Sequence, residues 1–248
     1  MATARILALV TNAADYEKAG YRTGLWLGEL THFQDVVEKA GYAVDIASPR
    51  GGYVPIDPES LSSMMLKMGG TGKRYEDPAY MATLQDTLAV DDVRAEDYDA
   101  IYLAGGHGTM FDFRDAGVNR LVAEFADAGK VVSAVCHGPA GLLDVTLADG
   151  RPLLKGRKVT GFSWREEKLA GRQDAVPFNL EKSLGKRGKF SKALIPMKSH
   201  VVVDGTLVTG QNPTSAEGVG EEVVTLLKKA GKAEKKAAKA QKKAAKRA

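Results

Sequence analysis

The stretch Val131–Pro139, V-V-S-A-V-C-H-G-P, contains the only cysteine of this 248-residue chain and decides its fold. Its β-branched valines favour a buried strand. Ala134 and Gly138 lie two residues before and two residues after Cys136, the spacing of small residues around a nucleophile at a sharp strand-to-helix turn. A helix that starts after such a turn favours a thiolate. We therefore predict a nucleophile elbow at Cys136, in preference to a buried structural cysteine.

The composition is typical of a soluble globular protein, with 44% hydrophobic and 27% charged residues. No apolar run approaches the roughly 20 residues of a membrane span, and the N-terminus lacks a signal-peptide cleavage pattern. A single cysteine cannot form an internal disulfide. We therefore expect a cytoplasmic protein with no membrane association.

The net charge of +4 hides a strong segregation of charge. Of the 35 basic and 31 acidic residues, ten basic and one acidic residue lie in 228–248, which leaves 25 and 30 for residues 1–227. The last segment has no aromatic or large aliphatic side chain, so it cannot bury a core face. We predict one domain over 1–227 and a basic Lys/Ala-rich tail over 228–248 that is disordered by itself.

The tail is rich in good helix formers, so we expect it to become helical once its charge is neutralised. The simplest interpretation of such a charge run is a solubilising extension. The sharper hypothesis is a non-specific contact with nucleic acid, because so many basic residues follow an acidic body.

Predicted strands and helices alternate through residues 4–227. Strands are expected at Ala4–Val10, Tyr42–Ala47, Ala100–Leu103, Val131–Val135 and Val159–Phe162, and helices at Gly24–Ala40, Val118–Ala128 and Pro139–Leu147. This alternation implies an α/β fold with a mostly parallel sheet and helices on both faces. Asp204-Gly205 predicts a hairpin, and Thr214 with Glu217 predicts a capping box at the start of the last helix.

Glu29 lies inside the first predicted helix, next to its apolar stripe at Leu25, Phe33 and Val36. A buried carboxylate is costly unless it is protonated or has a partner. The helical spacing leaves two interpretations open, a satisfied core acid or a protonatable group that faces the sulfur.

Gly105 and Gly106 directly follow a predicted strand, where their backbone N–H groups can approach a ligand. With the N–H of His137, the residue after the nucleophile, they are candidates for an oxyanion hole. His137 alone among four histidines adjoins the cysteine. Glu166 and Glu167 are the candidate acids to orient it, with a solvated helix face as the alternative.

His107 follows the glycine pair directly and is a candidate for substrate binding. A polar surface position is the alternative for it, as for His32 and His200. No group of His, Cys, Asp and Glu has a recognisable metal spacing, so we predict neither a metal nor a cofactor.

Four segments in this order resemble the ThiJ/PfpI superfamily, whose fold is class I glutamine amidotransferase-like. They are A-G-G-H-G-T-M (104–110), A-V-C-H-G-P (134–139), V-T-G-F (159–162) and V-V-V-D-G-T-L-V-T-G-Q-N-P (201–213). The early T-G-L-W-L-G-E-L-T-H (23–32) is similar to the chaperone/glutathione-independent glyoxalase branch. The resemblance covers Ile6 to Leu227 and implies a flavodoxin-like three-layer sandwich, usually a homodimer.

The resemblance also implies roles for individual residues. Cys136 is the implied nucleophile, with Glu29 hydrogen-bonded to it and an oxyanion hole from Gly106 and His137. The acid that orients His137 comes from the segment 164–169, and we prefer Glu167 there. Some members of the superfamily bind a metal near the site, but no such ligand set matches here.

The implied activity is that of a glyoxalase III-type lyase, or D-lactate dehydratase, acting on a small aldehyde. Methylglyoxal becomes lactate through a hemithioacetal on Cys136, without glutathione; glycation repair and stress-chaperone activity are related possibilities. One alternative is a hydrolase, a cysteine amidase or peptidase with the same Cys, His and Glu. Another is a non-catalytic redox-sensing holdase, in which Glu29 holds a Cys136 sulfinate.

Overall fold

The computed structural model describes residues 4–245, with nine strands in this range. They are β1 Arg5–Leu9, β2 Ala43–Ser48, β3 Leu88–Ala89, β4 Ala100–Leu103, β5 Val131–Val135, β6 Lys158–Val159, β7 Lys189–Phe190, β8 Val201–Asp204 and β9 Leu207–Gly210. Seven of them form a central sheet in the order β3-β2-β1-β4-β5-β9-β8. All neighbours are parallel except β8 and β9, while β6 and β7 form a separate parallel pair.

Nine α-helices lie in the same described range. They are α1 Leu27–Lys39, α2 Ser63–Lys67, α3 Thr71–Glu76, α4 Pro78–Ala82, α5 Thr109–Asp112, α6 Ala116–Asp127, α7 Trp164–Leu169, α8 Leu180–Arg187 and α9 Ala216–Ala245. α1 and α9 pack on each other beside the sheet, and α6 packs on β4 and β5. The predicted α/β fold with a mostly parallel central sheet is confirmed. None of the helices within 4–245 is long and apolar enough to cross a membrane.

The core lies between the central strands and these helices. β4 and β5 are buried along their whole length, which explains why their sequences are apolar on both faces. Phe33 of α1 stacks on Tyr102 of β4 with ring centroids 3.7 Å apart. The Tyr102 hydroxyl donates to the backbone carbonyl of Glu29 at 2.8 Å. α1 is thereby held over the carboxyl end of the sheet, where the strands deliver the candidate residues.

Several predicted local features can be compared directly with the structure. The Asp204-Gly205 hairpin is confirmed, because Asp204 pairs with Leu207 and Gly205 has a φ of +60°. The capping box at Thr214 is wrong. The Thr214 hydroxyl donates to the Met197 carbonyl and the Asn212 side chain, and the helix begins at Ala216.

The predicted boundary at Leu227 falls inside α9, which continues to Ala245. Where the composition alone predicts a disordered tail, the structure extends the last helix of the body through residues 228–245. Packed residues up to Leu227 supply the nucleated helix, and adding good helix formers to an existing helix is far easier than starting one. The last three residues of the predicted tail, 246–248, lie outside the described residues.

Candidate active site

Cys136 follows β5 directly and has a φ of +58°, a conformation that non-glycine residues rarely adopt. This places the thiol at the sharp turn expected of a nucleophile elbow. A Cβ on Gly138 would lie 2.3 Å from the Leu103 carbonyl oxygen, so the position after the turn requires glycine. The following helix is a short 3₁₀ helix, Gly138–Leu142, and not the predicted α-helix. The helix-terminus stabilisation of a thiolate that we expected is therefore small.

The thiol is buried, and this reverses the direction expected for its pKa. Burial, followed by the nearby Glu29 carboxyl, raises the pKa of Cys136 well above its ordinary value. The resting group is accordingly an S–H. Activation must come from a base that takes this proton, and not from a pre-formed thiolate.

His137 lies against the thiol on one side and against a carboxylate on the other. Its Nδ1 is 3.3 Å from Cys136 Sγ, and its Nε2 is 2.8 Å from Glu167 Oε2. Although burial acts to raise it, the electrostatic attraction of His137 and the hydrogen bonds from both imidazoles hold the pKa of Glu167 well below its usual range. Glu167 is thus an acceptor, Nε2 carries the proton, and Nδ1 is left to accept the thiol proton.

Glu166 and Glu167, the two candidate acids, have different surroundings. Glu166 closes a capping box with Ser163 at the start of α7 and also accepts from Gln211 and Asn212. The structure thus brings Glu167 to His137, while Glu166 ties α7 to the segment after β9.

His107 donates from Nε2 to the second oxygen of the same carboxylate, Glu167 Oε1, at 2.7 Å. The two imidazole rings lie 4.1 Å apart. Burial and then the neighbouring His137 lower the pKa of His107, so it is neutral. Nε2 is used by Glu167, so His107 completes the set of donors around the acid. His107 also lines the cavity above Cys136, and its substrate-binding role stays a prediction.

Glu29 approaches the sulfur from α1 and is wholly buried. Gly105 N–H donates to Oε2 at 2.8 Å, while Oε1 has no partner among the described residues. Burial raises the pKa of Glu29 to about 8, against the lowering effect of the neighbouring Cys136 thiol and of the Gly105 amide. The carboxyl is therefore protonated at neutral pH. A Cβ on Gly105 would lie 2.3 Å from Glu29 Oε2, so a glycine is needed for this approach.

Two backbone N–H groups close to Cys136 in the chain or the fold are candidates for the predicted oxyanion hole. Neither the Gly106 nor the His137 amide has a hydrogen-bond partner in residues 4–245. Gly106 has a φ of +108°, and a Cβ there would meet the Gly24 carbonyl oxygen at 2.2 Å. The backbone is thus fixed with two amides unused beside the nucleophile.

A cavity of about 240 Å³ opens above Cys136 and His137. Its wall includes Trp26, Phe162 and Met197, which makes the lining largely apolar. A larger cleft of about 580 Å³ lies elsewhere, beside Arg74 and Tyr80, and contains none of the candidate catalytic residues.

The model of one protein family, described as the DJ-1/PfpI family, matches residues 27–226 of this sequence. The chain belongs to the DJ-1/PfpI family. Among curated relatives, Glyoxalase 3 of Candida albicans is 31% identical over 231 residues, covering 88% of this chain and 96% of the relative. Glutathione-independent glyoxalase HSP31 of Saccharomyces cerevisiae is 32% identical over 241 residues, covering 92% and 100%.

Solved structures of similar proteins have the same fold. Glyoxalase III from Candida albicans superposes with a TM-score of 0.83 at 29% identity, covering 90% of this chain and 97% of that one. Rapid Encystment Protein 24 kDa of Francisella tularensis superposes with a TM-score of 0.85 at 35% identity, covering 91% and 99%. Both matches span nearly the whole chain and support one family-wide fold around the elbow.

In this DJ-1/PfpI chain, His107, His137 and Glu167 bring three possible metal-ligand atoms within 4.8 Å of one another. No local spacing in the sequence indicates such a group, because its members are 30 or more residues apart. The same atoms already form two N–H···O bonds of 2.7 and 2.8 Å. A metal would have to replace both protons and spread the three side chains. The geometry therefore fits the hydrogen-bonded relay better than a metal centre.

Proposed function

We propose that this chain is a glutathione-independent glyoxalase that converts methylglyoxal to lactate, a glyoxalase III-type lyase. The observation that carries the proposal is the placement of two different proton-carrying groups beside one sulfur. Glu29 is a neutral acid, and His137 is a base oriented by an ionised Glu167. A reaction that moves a proton between adjacent carbons needs such a pair at one centre.

The first step is addition of sulfur to the aldehyde. His137 Nδ1 takes the Cys136 proton as sulfur bonds to the aldehyde carbon, and the carbonyl π electrons move to oxygen. The free N–H groups of Gly106 and His137 support the developing oxyanion. Return of the proton to this oxygen gives a neutral hemithioacetal.

The second step converts the hemithioacetal to a thioester of lactate. His137 removes the hydrogen on the sulfur-bearing carbon, and an enediol forms as the ketone oxygen gains the proton of the neutral Glu29 carboxyl. Protonation of the adjacent carbon by His137, with return of the hydroxyl proton of the sulfur-bearing carbon to Glu29, then gives the lactoyl thioester. One water hydrolyses the thioester, which releases lactate and restores the thiol, so the whole reaction adds one water to methylglyoxal.

The decisive experiment measures lactate formation from methylglyoxal in the absence of any added thiol. The wild-type chain is expected to form lactate, and Cys136→Ala is expected to form none. Wild-type turnover that survives Cys136→Ala would overturn the proposal. Cleavage of an amide substrate with accumulation of an acyl-enzyme, and no lactate, would assign the site to the hydrolase alternative.

The chain also carries exposed apolar side chains close to the cavity. Leu194 is 93% and Ile195 is 62% exposed, and Leu169 and Met197, which line the cavity, are exposed as well. An apolar patch of this kind favours association, so we propose a homodimer through this face. Sedimentation of the chain with Leu194→Ser and Ile195→Ser is expected to show a shift toward monomer.

The cysteine content and the basic tail support a cellular location and a second contact for this chain. The single cysteine supports a cytoplasmic location. Every candidate catalytic residue precedes Leu227, so residues 1–227 form the catalytic unit. The basic residues after Leu227 support a non-specific contact with nucleic acid.

A further inference from the structure

Residues 228–248 consist of three consecutive seven-residue repeats. The repeats are K-K-A-G-K-A-E (228–234), K-K-A-A-K-A-Q (235–241) and K-K-A-A-K-R-A (242–248). Each has lysine at its first, second and fifth positions. α9 carries the first two repeats and the start of the third, up to Ala245, as one continuous helix with the body. Because this segment is helical, the seven-residue spacing determines where the lysines lie around the helix.

At 100° per residue, positions one, two and five of a repeat fall at 0°, 100° and 40° around the helix. Seven residues fall about 20° short of two full turns, so this set drifts only slightly between repeats. The lysine positions of all three repeats would share an arc of about 140° on a continuous helix. Alanine, glycine, glutamine and Glu234 fill the opposite side.

The lysine side does not pack on the body. Lys228, Lys229, Lys232, Lys235 and Lys236 are all exposed, and a Cβ on Gly231 would meet nothing within 4 Å. Among the described side chains of α9, Leu227 is the last buried one. The face is thus open to a partner over Lys228–Lys236, and the helical backbone of residues 228–245 has a length of about 27 Å.

Placing the lysines on one side costs helix stability. Lys228 and Lys232, like Lys232 and Lys236, are four residues apart, and each such like-charge pair opposes the helix. A solubilising tail gains nothing from this arrangement. A polyanion laid along the face removes the repulsion and makes the helix favourable.

We propose that this lysine face of α9 docks on the phosphate backbone of double-stranded nucleic acid without reading its sequence. A duplex offers about one negative charge per 1.7 Å along its axis, a density that a continuous row of lysines can use. A membrane surface fits poorly, because the repeats contain no large apolar residue to insert. A protein partner fits poorly because lysine is depleted in interface cores. The proposal is independent of the glyoxalase assignment.

The test measures fluorescence anisotropy of a labelled 20-base-pair DNA duplex over a KCl series. Four proteins are compared: the full chain, a chain ending at Leu227, Ala237→Pro, and a rearranged tail. In the rearranged tail, each repeat keeps its composition but has its lysines at positions one, four and six, which spreads them around the helix. Ala237→Pro keeps the charge and breaks the helix.

The full chain is expected to lose about 10³-fold in affinity between 50 and 200 mM KCl, as for six or more phosphate contacts. The chain ending at Leu227 should not bind. The rearranged tail and Ala237→Pro keep the charge of the tail and should bind at least about tenfold more weakly than the full chain, a ratio that corresponds to about 1.4 kcal/mol. Helical circular dichroism at 222 nm should increase when duplex is added to the full chain.

Equal binding by the full chain and the rearranged tail would overturn the proposal, since charge alone would then suffice. Equal binding by the full chain and the chain ending at Leu227 would overturn it as well. So would binding to phosphatidylglycerol vesicles as tight as binding to the duplex. Methylglyoxal turnover by the chain ending at Leu227 reports separately on the catalytic proposal.

Discussion

Glu29 and Glu167 are both buried carboxyl groups beside Cys136, yet their surroundings differ in the number of donors that they receive. Glu29 accepts from the Gly105 amide and leaves Oε1 without a partner among the described residues. Glu167 accepts one imidazole N–H on each oxygen. Burial therefore prevails at Glu29, with a pKa of about 8, and the donors prevail at Glu167. Two identical functional groups become an acid and an anion through their neighbours alone.

The largest effect is expected from Glu167→Gln, which removes the anionic side of this comparison. A carboxamide can accept from only one of the two histidines, and its NH₂ group faces the Nε2–H of the other. Where the NH₂ group faces His137, that ring is driven to the Nδ1–H tautomer, which cannot take the thiol proton. Where it faces His107, His137 still loses the negative charge that stabilises its protonated form. The expected loss in kcat is about 10⁴-fold, as for an acid-to-amide change in a comparable triad.

Glu166→Gln provides a matched control for that variant. It changes the neighbouring residue in the same way, but Glu166 bonds to neither imidazole and accepts instead from Ser163, Met197, Gln211 and Asn212. We expect a lower melting temperature with kcat largely preserved. Equal losses of kcat in both variants would contradict the distinction between the two acids.

Glu29→Gln tests the neutral side of the comparison. The amide keeps the shape of the side chain but cannot exchange a proton, so lactate formation is expected to fall by at least about 10²-fold. Activity within a few-fold of wild type would show that Glu29 has only a structural role.

Stability gives a second readout of the same residue. The folded chain keeps the Glu29 proton up to about pH 8, whereas an ordinary glutamate releases it at 4.5. The folded state therefore binds more protons, and the Glu29 contribution to the free energy of unfolding falls as pH rises, by roughly 1.4 kcal/mol per unit between those values. Urea unfolding of wild type and Glu29→Gln at pH 5.5, 6.5 and 7.5 should show their difference shifting in favour of the variant.

The Cys136 thiol is expected to lose its proton only at high pH. Because burial raises the pKa of Cys136, the rate of iodoacetamide modification should have its midpoint above the roughly 8.5 of a free cysteine. Glu29→Gln removes the nearby carboxylate charge and should lower this midpoint. A wild-type midpoint near neutrality would show that the sulfur is held as a thiolate.

The smallest effect is expected from His107, which acts on the sulfur only through Glu167 and His137. His107→Leu removes one donor from the carboxylate, so Glu167 becomes more basic and the His137 imidazolium harder to deprotonate. We expect kcat/KM to fall about tenfold below pH 7, which corresponds to the loss of one hydrogen bond to a charged group. The acid limb of the kcat/KM profile should move to higher pH, and His107→Gln, which keeps a donor, should restore it.

Only part of this site could be predicted from the sequence. The alternation of strands and helices and the small residues around Cys136 were enough to predict the α/β fold and the elbow. Helical spacing placed Glu29 next to the buried stripe of α1. The pairing of His107 with Glu167 joins residues 60 positions apart, and no local pattern contains that information. The direction of the Cys136 pKa could not be predicted, because it depends on burial and on a helix that proved to be a short 3₁₀ turn.

α9 joins the packed body and the lysine repeats without a loop between them. Each residue inserted after Leu227 would rotate the lysine face by about 100° about the helix axis and move it about 1.5 Å outward. The orientation of the catalytic cavity relative to any surface that the tail contacts is thus set by the number of residues between Leu227 and the first repeat, which is zero. A seven-residue insertion would nearly preserve that orientation, whereas an insertion of two residues would turn the cavity to the opposite side.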